Sequence, residues 1–246
     1  MKQFYIYGIN PVVEALRSES CRTTKVWLAK GRDLTRLKGI IDMAESRGVP
    51  ISQVEHSKLD SLTVNAPHQG IVGLIDQFNY ADLDAVLEKG DGIPFLLVLD
   101  GIEDPRNLGA LIRTAAAGGV WGVIIPKDRA AGITPAVAKS SAGAIFHIPV
   151  VRVANIPTIL KKIKERGIWV VGAAAEAELD LFRQDLTSPL AVVIGGEGRG
   201  IRPLIKRECD FLVSIPMQGK VNSLNASVAG SIILYEVIRQ RKHNPH

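Results

Sequence analysis

The sequence is poor in cysteine. Its 246 residues include only Cys21 and Cys209, and neither lies in a CxxC pair, whereas small secreted domains held by disulfides are rich in cysteine. HExxH segments and clusters of cysteine and histidine, the usual zinc-binding patterns, are also missing. We therefore expect two reduced thiols in a cytoplasmic protein, and we expect no metal site.

Long apolar runs and aromatic residues are scarce too. No stretch free of charged residues reaches the about 20 residues that a membrane-spanning helix needs. The first residues, MKQFYIYGIN, lack the charged start and long apolar core of a secretory signal. With only 3 Trp, 4 Tyr and 6 Phe, an extended platform for stacking nucleic-acid bases is not expected. The composition is that of an ordinary soluble globular protein with no membrane partner.

Positive charge is distributed unevenly. Residues 1–90 carry 11 Lys and Arg against 11 Asp and Glu, so the whole net charge of +5 comes from residues 91–246. Within the neutral part, one stretch, called the basic segment below, holds seven positive residues against Glu19 and Asp33: Arg17, Arg22, Lys25, Lys30, Arg32, Arg36 and Lys38. Such a cluster is the electrostatic pattern of a nucleic-acid-binding protein. A solvated helix face is an equally open alternative.

The first part of the chain reads as a small α/β unit. The segment IYGINPVVEALRS predicts a helix with Asn10 as its N-cap and Pro11 at its first position. TKVWLA predicts a short strand, LTRLKGIIDMAESRG an amphipathic helix that stops at Gly48, and HQGIVGLID a last strand. We place the end of this domain at residue 78 and a linker at residues 79–92.

From residue 93 onward the pattern becomes repetitive. Six apolar runs alternate with helical stretches: FLLVLD, GVIIP, HIPVV, WVVGAAA, LAVVIGG and FLVSIP. Near-continuous apolar strands separated by helices predict a parallel sheet covered on both faces. In such sheets ligands bind beyond the carboxyl ends of the strands. The first, fifth and sixth runs are followed by unusual polar segments, DGIEDPRNLGALIRTAAAGG, GGEGRG and PMQGKVNSLNAS.

The glycine-rich loop after the fifth run suggests a phosphate site, but the spacing of its glycines does not match a known phosphate-binding motif. A GxGxxG fingerprint fails from both Gly195 and Gly196 and lies too late in the chain, and no Lys-Ser/Thr pair completes a Walker A motif. Glu197 would repel a pyrophosphate. The loop therefore predicts a ligand that is not polyanionic, with glycines that let the backbone come close to it.

The other two polar segments supply further candidates. Arg113 lies on a helix predicted to open near Asn107, and the two side chains point to different faces unless Asn107 caps the helix. The apolar neighbours of Arg113 argue against random exposure, although a structural salt bridge is an alternative. Ser223 and Asn225 flank Leu224 at the start of a long amphipathic helix for which Ser223 is the natural N-cap. Capping alone would explain both polar residues.

Together, LDGIEDPRNLGALIRTAAAGGV, AVVIGGEGRGI and VSIPMQGKVNSLNASVAGSIILYE resemble the three ordered motifs of the SpoU (TrmH-type) RNA 2′-O-ribose methyltransferases. This resemblance covers residues 91–246. The first 80 residues, with YGINPVVEAL and PHQGIVG, are similar to the ribosomal-protein-like substrate-binding domain of several members. The two-domain layout is most similar to members that methylate a guanosine of 23S rRNA.

The resemblance implies a fold that no pattern would predict, because true knots are rare. Residues 93–246 would form an α/β SPOUT methyltransferase domain with a parallel sheet and a trefoil knot. Residues 1–78 would form the RNA substrate-binding domain. It further implies S-adenosylmethionine as the cofactor, ribosomal RNA as the substrate, and a homodimer in which each active site is completed near the partner subunit.

The resemblance also assigns residues. Cofactor binding falls to Gly195, Gly196, Gly198, Ile215, Ser223 and Leu224, and activation of the ribose 2′-hydroxyl falls to Arg113. Asn107, Glu197 and Asn225 would orient Arg113 and the ribose. Free arginine stays protonated, with a pKa above about 12. Arg113 is therefore either a base perturbed by its pocket and a substrate phosphate, or an electrostatic stabiliser of the forming alkoxide.

Three other functions stay open at this point. The same chemistry on tRNA ribose is the nearest, although the extra N-terminal domain favours rRNA. A non-catalytic RNA-binding protein of the same fold is disfavoured by the intact Arg113, Glu197 and Asn225. A nucleotide-dependent oxidoreductase is disfavoured by the failed fingerprint. For an RNA enzyme, the basic segment becomes a docking surface that binds mainly through phosphates.

Overall fold

The computed structural model describes residues 4–32, 34–88 and 92–243, without the side chains of Leu34 and Arg36. Asp33, the Arg36 side chain and linker residues 89–91 therefore lie outside the described residues. The chain divides into two compact units. The first comprises the described residues of Met1–Asn79 together with Ile133–His147, and the second those of Tyr80–Gly132 together with Ile148–His246.

Strands and helices alternate along most of the chain. The strands are β1 (Phe4–Tyr7), β2 (Thr23–Ala29), β3 (Ile51–Val54), β4 (Ile71–Ile75), β5 (Phe95–Asp100), β6 (Gly122–Pro126), β7 (Val150–Val153), β8 (Trp169–Ala173), β9 (Leu179–Asp180), β10 (Leu190–Gly195) and β11 (Phe211–Ser214). The α-helices are α1 (Ile9–Arg17), α2 (Lys38–Ser46), α3 (His56–Thr63), α4 (Leu83–Leu87), α5 (Pro105–Ala117), α6 (Pro135–Ser140), α7 (Ile156–Glu165), α8 (Pro203–Lys206) and α9 (Ala226–His243).

The first unit is built on a four-stranded sheet in the order β1-β4-β2-β3. β4 pairs antiparallel with both β1 and β2, while β3 joins β2 in parallel. Fully buried apolar side chains such as Ile6, Val26, Leu28 and Ile71 alternate along the strands with Tyr7, Ala29 and Val72, which pack with Leu59 of α3. The strands predicted from TKVWLA and HQGIVGLID are therefore confirmed as β2 and β4.

The prediction for the first helix was wrong at its start. α1 begins at Ile9, so Asn10 and Pro11 both lie in its first turn and Asn10 is not the cap. The cap position is Gly8, whose φ of 96° is a conformation that favours glycine. No local side chain caps this helix, and the Ile9 N–H donates instead to Gln69 Oε1, at 3.3 Å. An acceptor 60 residues away replaces the local cap, and no sequence pattern could indicate it.

The first unit also contains a segment from later in the chain. Residues 133–147 carry α6 and a short 3-10 turn, Ala144–Phe146. The Lys139 ammonium donates to Gln69 Oε1 at 2.5 Å, the Ser18 hydroxyl donates to the Phe146 carbonyl at 3.2 Å, and His147 Nε2 lies 2.6 Å from Glu14 Oε2. The predicted C-terminal domain included these residues, and its boundaries stay a prediction.

The second unit contains a seven-stranded sheet in the order β7-β6-β5-β10-β8-β11-β9, and all its strand pairs are parallel. The six predicted apolar runs are confirmed as β5, β6, β7, β8, β10 and β11, although β7 begins at Val150 rather than near His147. The two-residue strand β9 was not predicted, because two residues carry no periodicity. The expected α/β class with a parallel sheet is confirmed, and the knot stays a prediction.

Helices cover both faces of this sheet. On one face, α7 and α8 pack Leu160, Ile163 and Ile205 against strand residues such as Val98 and Val193. On the other face, α5 and α9 meet each other. Gly230 of α9 is in such close contact with Leu111 of α5 that a Cβ atom there would overlap the leucine side chain. This packing explains why the strands are apolar along their whole length.

Two helices begin at residues other than those predicted. α5 starts at Pro105, after Asp104, whose carboxylate accepts from Arg106 N at 2.8 Å, so Asn107 lies inside the helix. α9 starts at Ala226, and Asn225 Oδ1 rather than Ser223 accepts from its first backbone N–H groups. No helix in the described part of the chain is long and apolar enough to cross a membrane.

Candidate active site

A cavity of about 710 Å³ opens at the carboxyl ends of β8, β10 and β11, all within the second unit. Its walls come from five stretches: Ala173–Glu176 after β8, Gly195–Ile201 after β10, residues 213–217 around the end of β11, Asn222–Ala226, and the first turns of α9. The carboxyl edge of a parallel sheet is where ligands bind in this class of fold. The cavity volume falls within the roughly 300–1,000 Å³ of small-molecule sites.

The six residues assigned to cofactor binding all line this one cavity: Gly195, Gly196, Gly198, Ile215, Ser223 and Leu224. Two of the four predicted catalytic residues, Glu197 and Asn225, line it as well. Two of the three polar segments, the one after β10 and the one between β11 and α9, thus meet around one space. The role of each residue there stays a prediction.

Asn107 does not line the cavity, yet it is bonded to a residue that does. Asn225 Nδ2 donates to Asn107 Oδ1 at 3.1 Å, and Asn107 is buried on α5. The other side of the Asn225 amide accepts from Ser227 N at 2.9 Å and so caps α9. Asn225 therefore joins the start of α9 to α5 with both ends of its side chain.

Arg113 lies apart from the cavity. It is exposed on α5, contrary to the expectation drawn from its apolar neighbours, because Leu111, Ile112 and Ala115 turn toward the sheet and Arg113 turns away. Asn107 is buried while Arg113 is exposed, so the predicted divergence of their faces is confirmed. Within residues 4–32, 34–88 and 92–243, no side chain or carbonyl bonds to the Arg113 guanidinium.

Glycine is needed in the loop after β10 for two different structural reasons. A Cβ atom at Gly195 would overlap the backbone of Gly200, and a Cβ atom at Gly196 would overlap the carbonyl oxygen of Gly101. Gly198 and Gly200 instead have φ values of 77° and 61°, in the left-handed region. The sequence predicted that these glycines let the backbone come close to a ligand. Within the described residues, Gly195 and Gly196 instead let two stretches of backbone come close to each other.

Two ion pairs near the cavity were not predicted from the sequence. Lys206 bonds to Glu176, and this bond lowers the pKa of the Glu176 carboxyl. Asp100, at the end of β5, is 1% exposed and accepts from Arg202 Nε at 2.6 Å. A signal for the second pair was present, because Asp100 is a single charge at the end of an otherwise apolar run.

Neither cysteine is suited to nucleophilic chemistry. Burial raises the pKa of the Cys209 thiol to about 12, and burial also raises the pKa of Cys21. Both thiols are therefore neutral near pH 7, whereas a thiolate is the reactive form. Cys21 and Cys209 are both free, as expected.

One group in the first unit has the spacing of a metal site. Ligand atoms of His56, Asp60 and His68 lie within 4.8 Å of one another. Gly70 N donates to His68 Nδ1 at 2.9 Å, so the ring proton is on Nε2, which donates to Asp60 Oδ1 at 3.0 Å. Metal binding through Nε2 would move that proton to Nδ1, against the Gly70 N–H. Hydrogen bonds account for this group, and the expected lack of a metal stays a prediction.

Two family profiles match the chain. Residues 94–235 match the SpoU rRNA Methylase family, and residues 5–81 match the domain described as RNA 2′-O ribose methyltransferase substrate binding. The two matches together span most of the sequence.

Full-length relatives and solved structures agree with these profiles. The chain is 47% identical over 241 residues to YacO of Bacillus subtilis, named for the TrmH family of tRNA/rRNA methyltransferases, covering 96% of both chains. It is 45% identical to the 23S rRNA (guanosine-2′-O-)-methyltransferase RlmB of Pseudomonas syringae pv. tomato, over 96% of this chain and 95% of the relative. The SpoU methyltransferase AviRb from Streptomyces viridochromogenes, solved with AdoMet, superposes with a TM-score of 0.82 at 27% identity, over 98% of this chain and 92% of AviRb.

Proposed function

Because this chain belongs to the SpoU rRNA methylase family, we propose that it transfers a methyl group from S-adenosylmethionine to the ribose 2′-hydroxyl of a guanosine in 23S rRNA. The family membership that the three motifs indicated is confirmed. The chain is an RNA 2′-O-ribose methyltransferase that uses S-adenosylmethionine. The observation that carries the proposal is the meeting of all six predicted cofactor residues, with Glu197 and Asn225, around one cavity.

The chemistry of the cavity suits this cofactor. Apolar side chains such as Ile194, Val213 and Leu224 line it. Its charged lining is balanced, because Glu176 is paired with Lys206 and the loop that carries Glu197 also carries Arg199. A cavity with no surplus of positive charge does not favour a polyphosphate, whereas it suits a sulfonium cation with a neutral adenine. When bound, S-adenosylmethionine supplies an electrophilic methyl group for in-line displacement. The chain's own contribution is then largely to position the reactants.

We assign the activation of the 2′-hydroxyl to Arg113, helped by Asn107, Glu197 and Asn225. The hydrogen bond between Asn225 and Asn107 supports this assignment, because it ties the helix that carries Arg113 to a residue of the cavity wall. A guanidinium stays charged at neutral pH. Arg113 therefore acts by stabilising the forming alkoxide electrostatically, and the alternative is that it acts as the base once the substrate RNA is bound.

We propose that the enzyme works as a homodimer through α9. This helix buries Ile233, Leu234 and Val237 in its own unit. Val228 and Tyr235, seven residues apart and thus on one face, remain 47% and 53% exposed. A second copy would cover this apolar face. It would also explain why Arg113 has no partner among the described residues of its own chain.

We propose that residues 1–78 form the domain that binds the RNA, that residues 79–92 form a linker, and that residues 93–246 form the domain that catalyses methyl transfer. In the basic segment, Arg17 is paired with Glu14 and Lys30 with Glu55, at 2.9 and 2.7 Å. Three further members are exposed and available for phosphates: Arg22, Arg32 and Lys38. Such contacts are sequence-independent and weaken with salt.

The experiment that tests the function is a map of 2′-O-methylation across rRNA and tRNA in cells with and without the gene. Loss of methylation at one 23S rRNA guanosine supports the proposal, and restoration by the plasmid-borne gene is the control. Loss only in tRNA would establish the tRNA alternative. Calorimetry with S-adenosylmethionine and with NAD separates both from an oxidoreductase. A cytoplasmic location, proposed because the ribosome is there, is tested by cell fractionation.

A further inference from the structure

Asp100 is a buried acid that the proposed reaction does not use. It ends β5 and is 1% exposed. A buried carboxylate is costly unless it is paired and hydrogen-bonded. Its partners therefore indicate what this residue does in the fold.

Within the described residues, the Asp100 side chain bonds only to Arg202, and its carbonyl oxygen accepts from Gly196, so these bonds all go to one loop, residues 196–202. At the start of the loop, Gly196 N donates to the Asp100 carbonyl oxygen at 2.8 Å. At its end, Arg202 N donates to Asp100 Oδ2 at 2.8 Å, and the Arg202 guanidinium reaches Asp100 Oδ1 from Nε at 2.6 Å and from its terminal nitrogen at 2.5 Å. A single residue thus holds both ends of the loop.

The middle of the loop has few other constraints. Gly200 N donates to the Gly196 carbonyl at 3.0 Å, which closes the loop on itself. Residues 197–200 are exposed, and the glycines at 198 and 200 give the backbone more conformational freedom than other residues would. Glu197 stands in this exposed part and lines the cavity. The position of its carboxylate therefore depends on how firmly the two ends are held.

We propose that Asp100 is a positioning residue for methyl transfer: with Arg202 it clamps the loop that presents Glu197 to the cofactor and the ribose. This inference rests on the proposed function. Asp100 itself does not contact the reacting atoms. Its carboxylate matters because only a charged acceptor satisfies the backbone N–H and the forked guanidinium of Arg202 together.

The test compares Asp100→Asn and Arg202→Lys with a matched control, Asp210→Asn. Asp210 also accepts from a backbone N–H, that of Val170 at 2.8 Å, and also faces a cation, Lys164 at 3.6 Å. It precedes β11, at the end of that strand opposite the cavity, and does not line the cavity. S-adenosylmethionine affinity is measured by calorimetry, and the turnover number on a 23S rRNA fragment by transfer of a labelled methyl group.

Asp100→Asn should reduce the turnover number about 10- to 100-fold, the usual range for losing a hydrogen bond to a charged group. Arg202→Lys keeps the charge and the backbone N–H but loses the fork, so it should have a smaller effect in the same direction. Asp210→Asn should leave turnover unchanged. If Asp100→Asn does not fold, the comparison of Arg202→Lys with Asp210→Asn decides.

The decisive measurement is made in a Glu197→Gln background. If Asp100 acts through Glu197, adding Asp100→Asn there should reduce turnover less than twofold further. A full 10- to 100-fold loss on top of Glu197→Gln would overturn the proposal, because the two residues would then act independently. So would wild-type turnover in Asp100→Asn. A wild-type protein that neither binds S-adenosylmethionine nor transfers the methyl group would instead refute the proposed function.

Discussion

The two halves of the proposed active site are built differently. The methyl-donor half, formed by the loop after β10, the end of β11 and the start of α9, is assembled inside one chain. The acceptor half, represented by Arg113, stands exposed on α5, with no bonding partner among the residues that the structure describes. From the proposed function we therefore expect that one chain is enough to bind the methyl donor, whereas transfer needs RNA and a second subunit.

Loss of Arg113 should have the largest effect, because it should abolish most methyl transfer while cofactor binding persists. Arg113→Ala should lower methyl transfer about 1,000-fold, the upper range for removing a group that stabilises a developing oxyanion. Cofactor affinity should remain near the wild-type value, because Arg113 does not line the cavity. Calorimetry and a methyl-transfer assay measure the two effects. Arg106→Ala, an exposed arginine on the same helix, is the control. Near-normal turnover in Arg113→Ala would remove Arg113 from the mechanism.

Breaking the apolar face of α9 should act on the acceptor half alone. Tyr235→Asp places a charge on a 53% exposed side chain of that face, and the dimer dissociation constant should rise about 30-fold or more, the cost of losing an interface hot spot. Light scattering should show monomers, transfer should fall with the dimer, and cofactor binding should persist. Val64→Asp, 86% exposed in the first unit, is the control. A wild-type monomer at all concentrations would contradict the dimer proposal.

Gly196→Ala is expected to affect the methyl-donor half of the site, so that cofactor affinity itself falls. The added methyl group would overlap the Gly101 carbonyl and displace the cavity wall. A strain of about 1.4 kcal/mol would weaken cofactor affinity about 10-fold, as measured by calorimetry. Gly219→Ala, where the added Cβ would make only an ordinary contact with the Val221 backbone nitrogen at 4.0 Å, should change nothing. Equal affinities for the two variants would mean that the loop yields to the added methyl without effect on the cavity.

The smallest effect is expected from charge on the first unit. Removing two exposed members of the basic segment, in Arg22→Gln with Lys38→Gln, should weaken RNA binding severalfold and lower the slope of log affinity against log salt by about 2. Cofactor binding should not change. Filter binding over a series of salt concentrations measures the slope. A slope identical to that of the wild type would show that this surface does not touch phosphates.

Several features of the fold followed directly from residue patterns. The alternation of apolar runs with helical stretches predicted the parallel sheet, because strands buried on both faces must be apolar throughout. Two of the three polar segments at strand ends, those after β10 and β11, line the cavity, which lies at the edge that the carboxyl ends of parallel strands share. The resemblance to a family then supplied the residues around the cavity, which no periodicity could assign.

Other features could not be predicted because their partners are remote in sequence. α1 is capped through Gln69 rather than Asn10, and Asp100 is held by Arg202, 102 positions later. The exposure of Arg113 follows from which side of α5 meets the sheet, although its immediate neighbours are apolar. Residues 133–147 look like part of the later domain in sequence, yet they pack with the first unit.

The sequence by itself therefore determined the fold class and most of the strands, because burial patterns are local properties of the chain, and its resemblance to a family added the chemistry of the site. The tertiary structure decided where the helices begin, which backbone Gly195 and Gly196 fit against, and which acid holds the Glu197 loop. Those features depend on hydrogen bonds and close contacts between residues that only folding brings together.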